Sequence, residues 1–216
     1  AMFREHLPHF GAISVWTLVR NLDAHAAEQP LALSDPCTSR HDRVTREAVR
    51  GLLASMGQEL AELPMSGELT ECCGYGGLMD NANPELARRV AERRVAQSDA
   101  PFLTYCAMCR DQLAKTGKPV LHILDLLYPE HGHAAAEPPA GISARRTNRR
   151  VLKNTVLARY AQDRMPRQPW EDVQLVLSSA VRAILEERRI LQDDVRQVLY
   201  RTRQSGRFFR HSDGRR

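Results

Sequence analysis

Apolar positions along the first 130 residues alternate between two periods. Short apolar runs occur at Leu31–Ser34, Glu59–Leu63, Phe102–Tyr105 and Pro119–His122. Each is too short for a helix: Leu31–Ser34 reads as a buried strand, Glu59–Leu63 and Phe102–Tyr105 as further strands, and Pro119–His122 as a fourth strand or the entry to the helix that follows. Between them stand segments of helical period. One runs from about Asp42 to Met56, with Val44, Ala48, Leu52, Leu53 and Met56 on one side and Gly57 as its stop. A second opens at Asn83-Pro84-Glu85, where Asn can cap, Pro suits the first helical position and Glu favours the positive helix end. It extends to about Ser98. A third begins at Cys106–Cys109 and reaches about Lys115, and Ile123–Leu127 is a short fourth. Ser14–His25 reads as an amphipathic helix ahead of the first strand. Strand and helix in alternation predict an α/β fold, a small parallel sheet with flanking helices over residues 1–130.

The pattern then changes. Residues 131–147 begin rich in Ala, Pro, His and Gly and read as a linker. Residues 148–216 are an all-α C-terminal segment with expected helices at Arg149–Tyr160, Glu171–Arg188 and Asp193–Arg203, the last stopped by Gly206 before a basic end. Charge divides the chain at the same place. Of the net +5, the residues from Arg145 onward hold 18 Lys/Arg against 8 Asp/Glu, so the first 144 residues carry −5. Two units with different surfaces are expected.

Composition narrows the class. Hydrophobic residues at 43% and charged residues at 26% are ordinary for a globular protein. No apolar run approaches the ~18 residues of a membrane span, and no basic-then-apolar leader opens the sequence. A cytoplasmic protein, free or associated with a membrane complex, is expected. The opening Ala1-Met2 reads as a cloning scar and Phe3-Arg4-Glu5-His6 as mid-sequence, so the chain is expected to be one domain of a longer polypeptide. The basic tail admits nucleic-acid binding, but its arginines are interleaved with Glu186, Glu187, Asp193 and Asp194, and no reading motif accompanies them. Docking of an acidic redox partner or of a neighbouring domain is the preferred reading.

The chemistry lies in five cysteines: Cys37, the adjacent pair Cys72-Cys73, and Cys106-x-x-Cys109. Five is an odd number, and the spacing is not that of a small secreted disulfide scaffold. Neighbouring cysteines bridge each other poorly, so a ligand both can reach explains them better. Gly74, Gly76 and Gly77 follow at once and allow close backbone approach. Each cysteine group follows a predicted strand, which brings three distant segments to the carboxyl edge of the sheet, near helix N-termini that favour thiolates. Soft thiolates select zinc, iron–sulfur or copper. A closed zinc site takes four ligands, one fewer than are present. The ring of His41 and that of His122, the phenols of Tyr75 and Tyr105, and the charges of Arg40 and Arg110 fall nearby, and packing or solvation accounts for each as readily as ligation.

This pattern resembles the cysteine-rich CCG domain of the heterodisulfide reductase B subunit and of related iron–sulfur oxidoreductase subunits. The resemblance rests on Asp35-Pro36-Cys37, on Cys72-Cys73-Gly74-x-Gly76-Gly77, on Cys106-x-x-Cys109 and on Pro119-Val120-x-His122 before an apolar helix. It covers about residues 14–130. Ser34 and Thr38 stand where the family often has His, and Ala107-Met108 where it often has a Pro. The resemblance implies a non-cubane [4Fe-4S] cluster held by Cys37, Cys72, Cys73, Cys106 and Cys109, with zinc in one copy of some relatives. It implies electron transfer in an oxidoreductase, with thiol–disulfide chemistry as the reaction and flavin or ferredoxin-like subunits or domains as partners. The alternatives are a zinc-binding structural or interaction module and a redox-sensing nucleic-acid-binding protein.

Overall fold

The structure is a computed structural model that describes residues 6–7, 9–19, 26–129, 137, 140–162, 165–209 and 212. It divides into two compact units, Ala1–Pro139 and Ala140–Arg216.

In the first unit the chain runs through β1 (Leu31–Leu33), α1 (Arg43–Ser55), β2 (Leu60–Glu62), α2 (Met79–Ala82), α3 (Pro84–Val95), β3 (Phe102–Thr104), α4 (Ala107–Ala114), β4 (Val120–His122) and α5 (Ile123–Leu127). The four strands form one parallel sheet in the order β2-β1-β3-β4. Ala32 is in register with Ala61 on one side and with Phe102 on the other, and Phe102 in turn with Val120. The expected α/β sheet with flanking helices is therefore present.

Its helices start where the sequence places caps. Asp42 accepts the Thr45 N–H at 3.1 Å to open α1, and Asn83 accepts the Leu86 N–H at 3.0 Å to open α3, with Pro84 at the first position. Gly57, with φ of +73°, ends the turn after α1. Strand side chains alternate between two cores, as a period of two requires. Leu31, Leu33 and Leu103 join Val49, Leu53 and Ile123 on one face. Ala32 and Phe102 join Ala91, Leu113 and Val120 on the other, together with Cys73 and Cys109. Helices thus cover both faces, and two of the thiols belong to one core.

Ahead of the sheet the structure departs from the expectation of a helix over Ser14–His25. Val15–Thr17 is a 3₁₀ turn, and residues 20–25 lie outside the described residues. Trp16 and Val19 pack on the first core, while Val15 and Leu18 face solvent.

The second unit is helical: α6 (Ile142–Val156) continuing into a π turn at Leu157–Ala161, then α7 (Ser179–Glu187) and α8 (Gln192–Ser205). Helix α6 takes up residues 142–147, which the sequence pattern assigned to a linker. Helix α7 is half the expected length. Pro169–Asp172 is a 3₁₀ turn, and the helix starts only where Ser178 accepts the Val181 N–H at 3.3 Å. The stretch before it, Val173-Gln174-Leu175-Val176-Leu177, carries an apolar stripe, but its β-branched residues add little helix preference. Gly206, at φ of +66°, closes α8. No described helix is long and apolar enough to cross a membrane.

Candidate metal centre

The strand order places the reversal of the sheet between β1 and β3, because the chain winds outward from β1 to β2 and then returns to β3 and β4. In open α/β sheets ligands collect outside the carboxyl ends of the strands at that reversal. Cys37 lies four residues beyond the end of β1, and Cys106 two beyond the end of β3. Cys72 and Cys73 lie in the connection between β2 and α2.

Five free thiols result: Cys73 and Cys109 buried, and Cys37, Cys72 and Cys106 half-buried. They form a connected set. Cys37 and Cys72 share a hydrogen bond, and the charges of Cys72 and Cys73 both bear on Cys37. Cys109 is hydrogen-bonded to both Cys106 and Cys73. Among the described residues no three His, Cys, Asp or Glu side chains form a ready pocket for a single metal ion.

The electrostatics follow from these contacts. Cys106 is the N-cap residue of α4, and its sulfur is held down to about 6 by the Cys109 thiol first, against burial, and then by the N–H groups of Cys109 and Met108. Cys73 is held at about 7, again by Cys109 first and also by the Tyr75 N–H, with burial opposing. Cys109 moves the other way. Its hydrogen bonds to Cys106 and Cys73, together with burial, push it far above the usual thiol range. Cys37 is raised by burial and by Cys72, with the Arg40 charge opposing. The Gly74 N–H points to the Cys72 sulfur at 3.3 Å. Cys73 and Cys106 are thus favoured as thiolates and Cys37 and Cys109 as thiols, with backbone N–H groups directed at the sulfurs of Cys72, Cys73 and Cys106.

Residues 31–114 match the family model of the cysteine-rich CCG domain. This part of the chain belongs to the CCG cysteine-rich domain family. A search of the curated proteins finds no match.

Around the thiols, the CCG domain is held by polar side chains whose roles the residue pattern did not disclose. Asp35, next to Pro36-Cys37, is 2% exposed. It receives Arg50 at 3.0 and 2.8 Å, the Tyr105 hydroxyl at 2.7 Å and the Gly67 N–H at 2.9 Å. Its own carbonyl accepts the Thr70 hydroxyl at 2.7 Å. One carboxylate therefore ties the Cys37 loop to the segment leading to Cys72 and to the residue before Cys106. Tyr105 is buried and packs, with its hydroxyl also 2.8 Å from Ser39 Oγ. Arg40 spans the same two loops, donating to the Thr70 carbonyl at 2.6 Å.

The other neighbours sort themselves by contact. His41 is exposed and Tyr75 is 42% exposed. His122 caps α5, accepting the Leu124 N–H at 3.2 Å, and its ring hydrogen-bonds the Tyr105 backbone; burial holds it below the ordinary range. It is a half-buried capping histidine. The three glycines differ. Gly74 has φ of +89°, and a Cβ there would sit 2.5 Å from the Ala87 carbonyl oxygen. Gly77 has φ of +63° with open space around it, and Gly76 has neither constraint. A cleft of about 370 Å³ opens beside Cys106, lined by Trp16, Pro36, Thr38, Ser39 and Tyr105 among others.

Proposed function

We propose that the chain is an iron–sulfur electron-transfer module of an oxidoreductase, related in its chemistry to the heterodisulfide reductases. The observation that carries this reading is the connected set of five thiols from three loops at the sheet reversal, one more than a closed zinc site uses. Cys37, Cys72, Cys73, Cys106 and Cys109 would hold a non-cubane [4Fe-4S] cluster, which supplies one-electron transfer when bound. Backbone N–H groups at Gly74, Tyr75, Met108 and Cys109 stabilise the thiolate charge, and burial of Cys73 and Cys109 limits access of water.

The cleft beside Cys106 gives a small disulfide a place to approach. Its reduction takes up two electrons and two protons and releases two thiols, the electrons arriving from a flavin or ferredoxin-like partner. In this reading residues 1–130 are the functional domain, residues 131–141 a connection ahead of α6, and the basic residues that follow a surface for an acidic partner in the cytoplasm.

The test is iron, zinc and acid-labile sulfide analysis of anaerobically purified protein, with its visible spectrum. The expected result is about four iron and four sulfide per chain, as in the [4Fe-4S] composition, and a brown colour lost in Cys73→Ser. One zinc with no sulfide overturns the reading and leaves a structural zinc module.

A further inference from the structure

Arg94, on α3, is the largest fully buried side chain among the described residues, at 0% exposure. A guanidinium does not lose its proton in a protein, so this is a permanent charge taken out of water. Among the described residues its hydrogen bonds go to neutral oxygens: Ser34 Oγ at 3.2 Å, the Met65 carbonyl at 2.6 Å, Gln97 Oε1 at 2.9 Å and Thr70 Oγ1 at 3.1 Å. None of these is a carboxylate. A buried charge with only neutral partners is costly and calls for a counter-charge.

The negative groups that reach Arg94 are Glu71, Asp35, Cys109 and Cys73. Two of these are already matched. Asp35 holds Arg50 at 2.8 Å, and Glu71 holds Arg93 at 2.7 Å. Cys73 and Cys109 remain, and holding a metal centre would make both of them thiolates. The position of Arg94 fits them: Ser34 is three residues before Cys37, Thr70 is two before Cys72, and α3 packs its Ala91 in the same core as Cys73 and Cys109.

We infer that Arg94 is the built-in counter-charge of the metal centre, a positioning residue whose fixed positive charge stabilises the added electron and raises the reduction potential. The inference rests on the iron–sulfur reading above. The sign follows from electrostatics, since reduction adds negative charge and a nearby cation favours it.

The experiment is an EPR-monitored redox titration of the full chain, reconstituted anaerobically, alongside iron and sulfide analysis of each sample. Arg94→Gln is expected to keep its iron and sulfide while the one-electron equilibrium constant falls at least tenfold, about 59 mV for a one-electron couple. Arg94→Lys, which keeps the charge, is expected to stay near wild type. An unchanged potential in a loaded Arg94→Gln overturns the inference and leaves the iron–sulfur reading standing. An equal fall in Arg94→Lys assigns the effect to the lost hydrogen bonds and also overturns it. Where Arg94→Gln does not load, Gln97→Glu sets a carboxylate against the guanidinium instead and is expected to lower the potential; an unchanged value there overturns the inference. A wild-type chain that takes up no iron overturns both.

Discussion

At the scale of single residues, Asp35 shows how a carboxylate is kept charged inside a core. Burial alone would raise its pKa, but the Arg50 guanidinium, the Tyr105 hydroxyl and the Gly67 N–H outweigh that and hold it below the usual carboxylate range. Replacing it with Asn leaves Arg50 half-paired and loosens three loops at once, so Asp35→Asn is expected to cost about 3 kcal/mol at pH 7. The lowered folded pKa fixes the pH dependence. The contribution is complete above the unfolded Asp value of about 3.9 and fades as pH falls through the lower folded value. Urea unfolding at pH 7 and again near pH 3 checks this: the gap between wild type and Asp35→Asn should narrow in acid, and a constant gap refutes the charge account. The cysteines and the Asp-Pro-Cys run are legible in the sequence because their residue types and spacing stand out without any knowledge of the fold. Arg94 is not, since it stands beside Arg88, Arg89 and Arg93 in a helix that reads as a solvated face. Only the tertiary fold distinguishes the buried arginine from the exposed ones.

At the scale of elements, the decisive contact is between the Cys72-Cys73 turn and α3. Gly74 lies with its backbone against the Ala87 carbonyl in a conformation that side chains avoid. Gly74→Ala is expected to lose roughly 2 kcal/mol from backbone strain alone, to push α3 outward and to reduce iron content. Gly76→Ala, exposed and unstrained, is expected to stay within ~0.5 kcal/mol. Urea midpoints and iron analysis on the pair decide it; equal behaviour would remove any special role for Gly74. Elements whose local signals agreed were readable: α1 has a cap, an apolar stripe and a stop, α3 has an Asn cap with Pro at its first position, and both start where the sequence puts them. The stretches that misled have a stripe without caps at its ends. Val173–Leu177 precedes the Ser178 cap and stays out of α7, and Val15–Thr17 makes only a 3₁₀ turn. The role of Trp16 in closing the first core was likewise invisible, because contacts distant in sequence leave no periodic trace.

At the scale of the whole molecule, the two units differ in how they are held. Every buried hydrophobic residue among those described lies before residue 140, except Val173. The sheet, both of its cores and all five cysteines are within Ala1–Pro139. The second unit is organised mainly by charge: Glu186 receives the Ile142 N–H at 2.6 Å at the start of α6, Arg150 pairs with Glu171 at 3.1 Å, and Arg196 with Asp193 at 2.7 Å. Half-exposed ion pairs of this kind contribute only about 0–1 kcal/mol each, and Val176 and Phe209 remain 100% and 94% exposed. A unit with its own core can fold alone, so a chain ending at Pro139 is expected to keep its sheet, its urea midpoint and its full complement of iron. Losing the basic segment changes the net charge from +5 to −5, because no charged residue lies between 140 and 144. The shortened protein should therefore bind an anion exchanger at neutral pH, and any salt-sensitive association of the full chain with an acidic redox protein should vanish. Circular dichroism, iron analysis and a binding titration at two salt concentrations read these separately. Retained iron with lost binding assigns the chemistry to the first unit and the docking to the second. Lost iron places part of the metal centre's support beyond Pro139, and binding that survives the truncation moves the docking surface onto the acidic first unit.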